Sequence, residues 1–271
     1  MKGQIARWAP LVAAGTLAIT GLSASNTNAP QKKPDSKATA ADERVTASGQ
    51  NGWKSHNVCF DTNGNPIADS QSSETFVTGP GIPPAGLGSV RLATGNGTAF
   101  GDCEASLRST EYKNVKLSDI KALSYWTNQH TNNGQQFPYL GLNVNYTGGT
   151  SVDDIIFFEP PYQSAGNGGP TCAHQAVTAM DTWQGWDALT GCWWSNNSIA
   201  GATPGTGTKP LSDIIAAEPN AKIVNAANGV GGMRLAVGEG SPNDSFVGYV
   251  DSFVIKVKQD LDDFDFDPKA S

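Results

Sequence analysis

The chain has 271 residues, a length that suits one large β-domain, and it contains four cysteines. Its 18 Lys and Arg against 25 Asp and Glu give a formal net charge of −7 at pH 7. Because the basic residues are few and scattered, the sequence shows no surface for a phosphate backbone, and nucleic acid is excluded as an expected partner.

The first 25 residues are typical of a secretory signal peptide. A basic head at 1–7 precedes an uncharged apolar run from Trp8 to Leu22, and small residues follow at 23–25. These are the three parts of a signal that is cleaved on export. The apolar run of about 15 residues is shorter than the roughly 20 that a membrane span needs, and no later run is apolar enough to cross a bilayer. We therefore expect a secreted or cell-surface protein without a membrane span after cleavage.

The two flanks of the remaining chain have the composition of unfolded segments. Residues 26–49 are rich in Ser, Thr, Ala, Asn, Lys and Pro, so they bury too little apolar surface to offset their ordering entropy, and a disordered spacer is predicted. Residues 259–271 contain five aspartates whose charges repel each other, and an acidic mobile tail is predicted there. The folded domain is placed at 50–258.

Within the domain, short apolar or alternating runs recur between clusters of turn residues, a pattern typical of an all-β fold. One short helix is expected from Leu211 to Glu218, with Ser212 as its N-cap and Pro219 ending it. Many strands with a single short helix predict a two-sheet antiparallel jelly-roll sandwich. The predicted strands are Ser73 to Val77, Gly88 to Ala93, Ala105 to Tyr112, Ile120 to Thr127, Tyr139 to Tyr146, Ile155 to Glu159, Lys222 to Val224, Met233 to Val237 and Phe246 to Val257.

The four cysteines predict two disulfides, since an even number in an exported chain is typical of a covalent framework. Three pairings are open. We favour Cys59–Cys103 and Cys172–Cys192, because each pair closes a local loop. The spacings contain no CxxC, which argues against a structural zinc site.

Several stretches between about residues 85 and 257 resemble exported, mostly bacterial proteins with concanavalin-A-like or laminin-G-like sandwiches. The resemblance implies a lectin-like jelly roll, and it implies no catalytic residues. The stretches that carry it are Val115 to Tyr125, Phe157 to Pro160, Trp183 to Asp187, Gly191 to Trp194, and Phe246 to Phe253.

Four tryptophans lie within twelve residues, at Trp183, Trp186, Trp193 and Trp194. Indole faces stack on sugar rings, so these residues are the candidate glycan-binding groups. The alternative is that they fill the core. Trp193 and Trp194 are adjacent and would point to opposite faces of a strand, so that one is buried while the other is exposed.

Catalysis by paired carboxylates is the competing hypothesis, because glycosidases place two acids on either side of the scissile bond. The candidates are Glu159, which lies between Phe158 and Pro160, and Asp187. Against it, the sequence lacks the E-x-D-x-x-E pattern of one sandwich glycosidase family, and it contains neither G-x-S-x-G nor H-E-x-x-H.

A structural calcium ion is the only cofactor that the residue pattern suggests, since Ca²⁺ is bound by oxygen ligands. The candidate ligands bracket a glycine-rich turn or precede the last predicted strand, at Asn145, Asp153, Asp154 and Asp244. Asn and Asp are also ordinary turn residues, which is the simpler interpretation.

Taken together, these features predict a secreted, non-catalytic β-sandwich that binds a polysaccharide or another component of the cell surface or matrix. A polysaccharide hydrolase or lyase is the first alternative, and a structural surface module without a ligand is the second.

Overall fold

The computed structural model describes residues 42–60, 65–67, 71–95, 103–131, 136–238 and 246–268. The predicted signal peptide, most of the predicted spacer and Asp244 lie outside these residues. The described chain forms two sheets that pack face to face, as the all-β sandwich prediction requires. Each of the nine predicted strands overlaps an observed one.

The first sheet contains seven strands, numbered here in chain order through both sheets. Its longest strand, β15 (Val247–Val257), pairs along one edge with β7 (Ile120–Gln129), and along the other edge first with β5 (Gly88–Ala93) and then with β16 (Asp260–Phe266). The seven strands are β1 (Asp42–Val45), β4 (Ser73–Thr78), β5 (Gly88–Ala93), β7 (Ile120–Gln129), β10 (Gln184–Asp187), β15 (Val247–Val257) and β16 (Asp260–Phe266).

The second sheet contains nine strands, in the order β12-β11-β9-β8-β14-β6-β2-β3, with β13 paired to β8. Its central pairings are antiparallel. The nine strands are β2 (Trp53–Phe60), β3 (Pro66–Ile67), β6 (Cys103–Ser109), β8 (Tyr139–Asn145), β9 (Asp154–Phe158), β11 (Cys192–Ser195), β12 (Lys209–Pro210), β13 (Lys222–Ile223) and β14 (Met233–Gly238).

The core lies between the sheets and is built from alternate residues of each strand. Leu140 and Leu142 of β8, for example, join Leu235 of β14 in the core, while Gly141 between them lies on the outer face of the sheet. Trp53 of β2 meets Phe253, whose ring centroid is 5.3 Å away and nearly perpendicular to the indole. The apolar positions of each alternating sequence run therefore lie on the inner faces of the two sheets.

The helix α1 (Leu211–Ala217) confirms the predicted helix and buries Leu211 and Ile214 in the core. The predicted cap is wrong. Pro210 precedes the first helical residue, no side chain caps the helix, and Ser212 is exposed in the first turn. Proline has no side-chain acceptor, so the amide groups of the first turn receive no hydrogen bond from the residue at the N-cap position.

The acidic C-terminal segment is a strand, in contrast to the mobile tail expected from its charge. In β16, Phe264 and Phe266 lie 5.5 and 5.4 Å from the ring of Trp53. Asp262 accepts a hydrogen bond from Tyr112 Oη at 2.9 Å, and Asp267 is paired with Arg44. Two of the five aspartates that argue for repulsion, Asp262 and Asp267, therefore have partners elsewhere in the fold.

The start of the domain also differs from the predicted boundary. Residues 42–45, assigned to the spacer, form β1 and pair in parallel with β16. The domain therefore extends beyond both ends of the predicted 50–258, because each flank supplies the pairing partner of the other.

Both predicted disulfides are confirmed, as Cys59–Cys103 and Cys172–Cys192. The first joins directly paired residues of β2 and β6, and the second ties the segment before β10 to β11. Disulfides persist in oxidising compartments, so they indicate a protein outside the cytoplasm. Within the described ranges, no helix has the length and hydropathy to cross a bilayer.

Candidate ligand-binding face

Two of the four candidate tryptophans belong to the core, which corrects their assignment to glycan binding. Trp186 and Trp193 are 1 % and 0 % exposed. Their indole N–H groups donate to Thr127 Oγ1 at 2.8 Å and to the carbonyl of Ala188 at 2.7 Å. With the ring buried and the N–H satisfied, neither indole offers a stacking surface.

The other two tryptophans are partly exposed. Trp183 donates to the carbonyl of Pro80 at 2.8 Å and so ties the β4–β5 loop to the segment before β10. Trp194 stacks on Phe157, with ring centroids 4.4 Å apart and an interplanar angle of 17°, and its Nε1 donates to Glu159 at 3.1 Å. The expectation that Trp193 and Trp194 point to opposite faces is confirmed.

The candidate catalytic acids are both engaged in local structure. Asp187 accepts hydrogen bonds from the amides of Leu189 and Thr190 and from Thr190 Oγ1, so both of its oxygens hold the turn after β10. Glu159 follows β9 in the other sheet and accepts the Trp194 indole N–H. The structure thus gives each acid a positioning role in a different sheet.

The candidate calcium ligands hold the turn between β8 and β9. Asn145 Nδ2 and the amide of Tyr146 donate to Asp153 at 2.9 and 3.0 Å. Tyr146 Oη donates to Asp154 at 2.6 Å, and burial raises the pKa of Asp154. Among the described residues, no group of three or more acidic, His or Cys side chains could hold a metal ion.

The most distinctive feature of the molecule is a row of residues across the outer face of the second sheet. Its members are directly paired neighbours on six successive strands, and all point away from the core. With strands about 4.8 Å apart, the row is roughly 24 Å long. We call it the transverse row; it consists of Trp194, Phe157, Gly141, Arg234, Arg108 and Lys54.

The middle of the transverse row is organised by one buried carboxylate. Glu104, on the same face of β6, is 0 % exposed. It accepts a hydrogen bond from Arg108 through one oxygen and from Arg234 through the other, both at 2.5 Å, and Tyr139 Oη donates to it at 3.0 Å. A buried charge of this kind is stable only when it is paired and hydrogen-bonded. Glu104 therefore fixes the positions of both guanidinium groups.

Gly141 allows Arg234 to lie flat along the sheet. A Cβ atom at Gly141 would come within 2.7 Å of Arg234 Nε and 3.0 Å of its Cγ. The guanidinium carbon lies 5.2 Å from the ring centroid of Phe157, on which Trp194 also stacks. The row is thus aromatic at the Trp194 end and cationic at the Lys54 end.

Lys54 at one end of the row is exposed and Trp194 at the other end is partly exposed, whereas the middle of the row is buried. At the cationic end, Lys54, His56 and Arg108 line a cleft of about 140 Å³ whose opposite wall is the loop 228–231. Lys54 is exposed and His56 is half-buried. The cleft therefore gives a ligand direct access to the charged end of the row.

The pKa of His56 is lowered by its surroundings, which shows the sign of the charge near the cleft. Burial lowers its pKa, and so do Arg108 and Arg234, while Glu104 acts in the opposite direction. Two cations thus oppose one anion at this position, and Lys54 adds a further positive charge at the rim. In a chain of net charge −7, this is a local reversal of sign.

Sequence reasoning missed the transverse row because its members are far apart in the chain. The available signal was the presence of charged residues inside otherwise apolar strands: Glu104 and Arg108 in β6, and Arg234 in β14. Only the strand pairing shows that they converge. No family model, curated protein or solved structure matches this chain. The resemblance to concanavalin-like sandwiches therefore stays a prediction.

Proposed function

We propose that the protein is an exported, non-catalytic β-sandwich that binds a glycan, or another component of the cell surface or matrix, through the outer face of its second sheet. The observation that carries the proposal is the transverse row, where two arginines are held in place by Glu104 and Tyr139 and continue into a pair of stacked aromatic rings. The two disulfides and the signal-like start support export.

The chemistry of the row suits a saccharide. The partly exposed Trp194 can pack against the C–H groups of a sugar ring, and Arg108, which lines the open cleft, can donate to sugar oxygens in fixed directions. Because Glu104 holds the arginines before any ligand arrives, little side-chain entropy is lost on binding. These features support a binding site more than a solvated sheet face, on which charged side chains would be mobile.

The binding hypothesis is favoured over hydrolysis because both oxygens of Asp187 accept hydrogen bonds from its own turn. Hydrolysis, the alternative function, can be tested directly. If Glu159→Gln abolished the release of reducing ends from a polysaccharide that the wild type degrades, the protein would be an enzyme and the non-catalytic proposal would fail.

The proposal is tested by screening the secreted protein on a glycan array and repeating the positive spots with Trp194→Ala and Lys54→Ala. We expect wild-type binding that weakens about tenfold or more in each variant, because the two residues lie at opposite ends of the row. Trp183→Ala is the matched control, since its indole contacts the β4–β5 loop, away from the transverse row, and should leave binding unchanged. No binding to any glycan, or equal binding by all four proteins, would overturn the proposal.

A further inference from the structure

We infer that the cleft lined by Lys54, His56 and Arg108 binds the carboxylate of an acidic sugar, so that the ligand is a uronate-containing saccharide. This inference rests on the proposed function and names its substrate class. It places the acidic group at the cationic end of the transverse row, and neutral sugar residues toward Trp194.

The first argument is the set of donors that face the cleft. Arg108 is about nine-tenths buried; its Nη2 donates to Glu104 and its Nε donates to Ser106 Oγ. Within the part of the chain that the structure describes, Arg108 Nη1, the His56 ring nitrogens and Lys54 Nζ make no hydrogen bond. A largely buried guanidinium with an unused N–H pair, lining a cleft, is suited to an anionic acceptor.

The second argument is charge. Arg108, Arg234 and Glu104 sum to one positive charge, and Lys54 makes it two. Glu74, which accepts hydrogen bonds from Ser106 and Ser55 beside the cleft, is the opposing anion; burial raises its pKa, and the sum stays positive even when it is ionised. The other groups that act on His56 are these same arginines and Glu104. An anion in the cleft would therefore be attracted by a field that the protein has already assembled, in a site partly removed from water where charges are less screened.

The third argument is size and shape. A cavity of about 150 Å³ is known to hold benzene, and the cleft of about 140 Å³ is close to that, so it has room for the carboxylate and the adjoining part of a sugar ring while the rest stays in solvent. Gly231 forms part of the wall, and a Cβ there would come within 2.3 Å of the Ser109 carbonyl oxygen. The wall approaches β6 closely because this residue has no side chain.

A carboxylate is favoured over a sulfate because the unused donors are two groups, Arg108 Nη1 and Lys54 Nζ, which match the two oxygens of a carboxylate and leave a third sulfate oxygen without a charged partner. A sulfated saccharide is the competing occupant, and the experiment separates the two.

The experiment follows the His56 ring by NMR while the protein is titrated with oligogalacturonate, its methyl ester, or a sulfated galactan. We expect oligogalacturonate to raise the pKa of His56, because a bound carboxylate favours the charged imidazole. The methyl ester, which keeps the size and removes the charge, should leave that pKa unchanged. Lys54→Met should weaken the binding about tenfold, whereas Lys121→Met, an exposed lysine on the first sheet, should not.

Each outcome either supports or overturns the inference. If the ester and the acid bind equally well and Lys54→Met has no effect, the cleft does not take a carboxylate, although the glycan-binding function stands. If only the sulfated galactan raises the pKa of His56, the uronate assignment is wrong. If oligogalacturonate raises it while Trp194→Ala binds as wild type, the cleft is confirmed and the extended glycan site fails.

Discussion

At the scale of single residues, Glu104 is the group on which the outer face depends. Its two oxygens join Arg108 and Arg234, while Tyr139 donates a further hydrogen bond. Pairs of buried charges contribute little net stability compared with apolar packing, but removal of one partner leaves the others uncompensated. The cluster therefore maintains the geometry of the face more than it adds to the stability of the fold.

Glu104→Gln tests this role. The substitution keeps the shape of the side chain and removes the negative charge between two buried arginines, so we expect the free energy of unfolding to fall by about 3–5 kcal/mol. Chemical denaturation measures it, with the exposed Glu111→Gln as the control that should change stability by less than about 0.5 kcal/mol. Equal stability of the two variants would show that the arginines do not need Glu104.

Asp251 gives the fold a pH dependence. Burial raises its pKa to about 8, against the opposing effect of amide hydrogen bonds from Ala85, Phe266 and Ser252, and Asp265 adds a smaller increase. A carboxyl with a raised pKa binds a proton more tightly in the folded state. Its contribution to stability is therefore complete at pH below about 4 and is lost as the pH rises to about 8.

Asp251→Asn should remove this contribution. We expect the decline in unfolding free energy between pH 4 and pH 8 to be smaller in the variant by about 2–5 kcal/mol, because Asn cannot ionise. Denaturation curves at several pH values measure it, and Asp187→Asn serves as an exposed control. A variant with the same pH profile as the wild type would show that Asp251 titrates normally.

At the scale of elements, the two ends of the domain complete the first sheet together. β16 pairs with β15 on one side and with β1 on the other. Phe264 and Phe266 make edge-to-face ring contacts with Trp53 of the opposite sheet. The last strand therefore joins the two sheets across the core.

Phe264→Ala tests the contribution of β16 to the core. Truncation of a buried phenylalanine costs about 3–5 kcal/mol through lost burial and the cavity that remains, so the variant should unfold at a markedly lower denaturant concentration. Val177→Ala, at a side chain that is 73 % exposed, is the control. If the two variants were equally stable, the acidic segment would be the mobile tail that its composition suggests.

The elements with a clear alternating pattern could be predicted from sequence, as Tyr139 to Tyr146 and Gly88 to Ala93 were. β16 could not, because Asp262 within it and Asp267 directly after it lie in a run of like charges, and only the fold brings Tyr112 and Arg44 to them. The tryptophan cluster was misassigned for a similar reason. Exposure depends on which face of a strand meets the other sheet, and Trp186 and Trp193 each lie on the inner face of their own sheet.

At the scale of the whole molecule, the two faces of the second sheet have different roles. The inner face packs on the first sheet, and the outer face carries the transverse row together with a small apolar cluster of Tyr139, Phe157 and Ala236. The disulfide Cys59–Cys103 lies between β2 and β6, the two strands that present Lys54 and Arg108. The fold thus provides a rigid support for the cationic end of the row.

The central claim is that this outer face is the ligand site, and mapping amide chemical-shift changes on the protein during titration with an oligogalacturonate tests it most directly. We predict that the largest changes fall on residues 54–58, 106–109 and 228–231, with smaller changes extending toward Trp194. Changes confined to another surface, such as the segment 176–183 before β10, would contradict the account, as would saturation of the ligand without any change on this face.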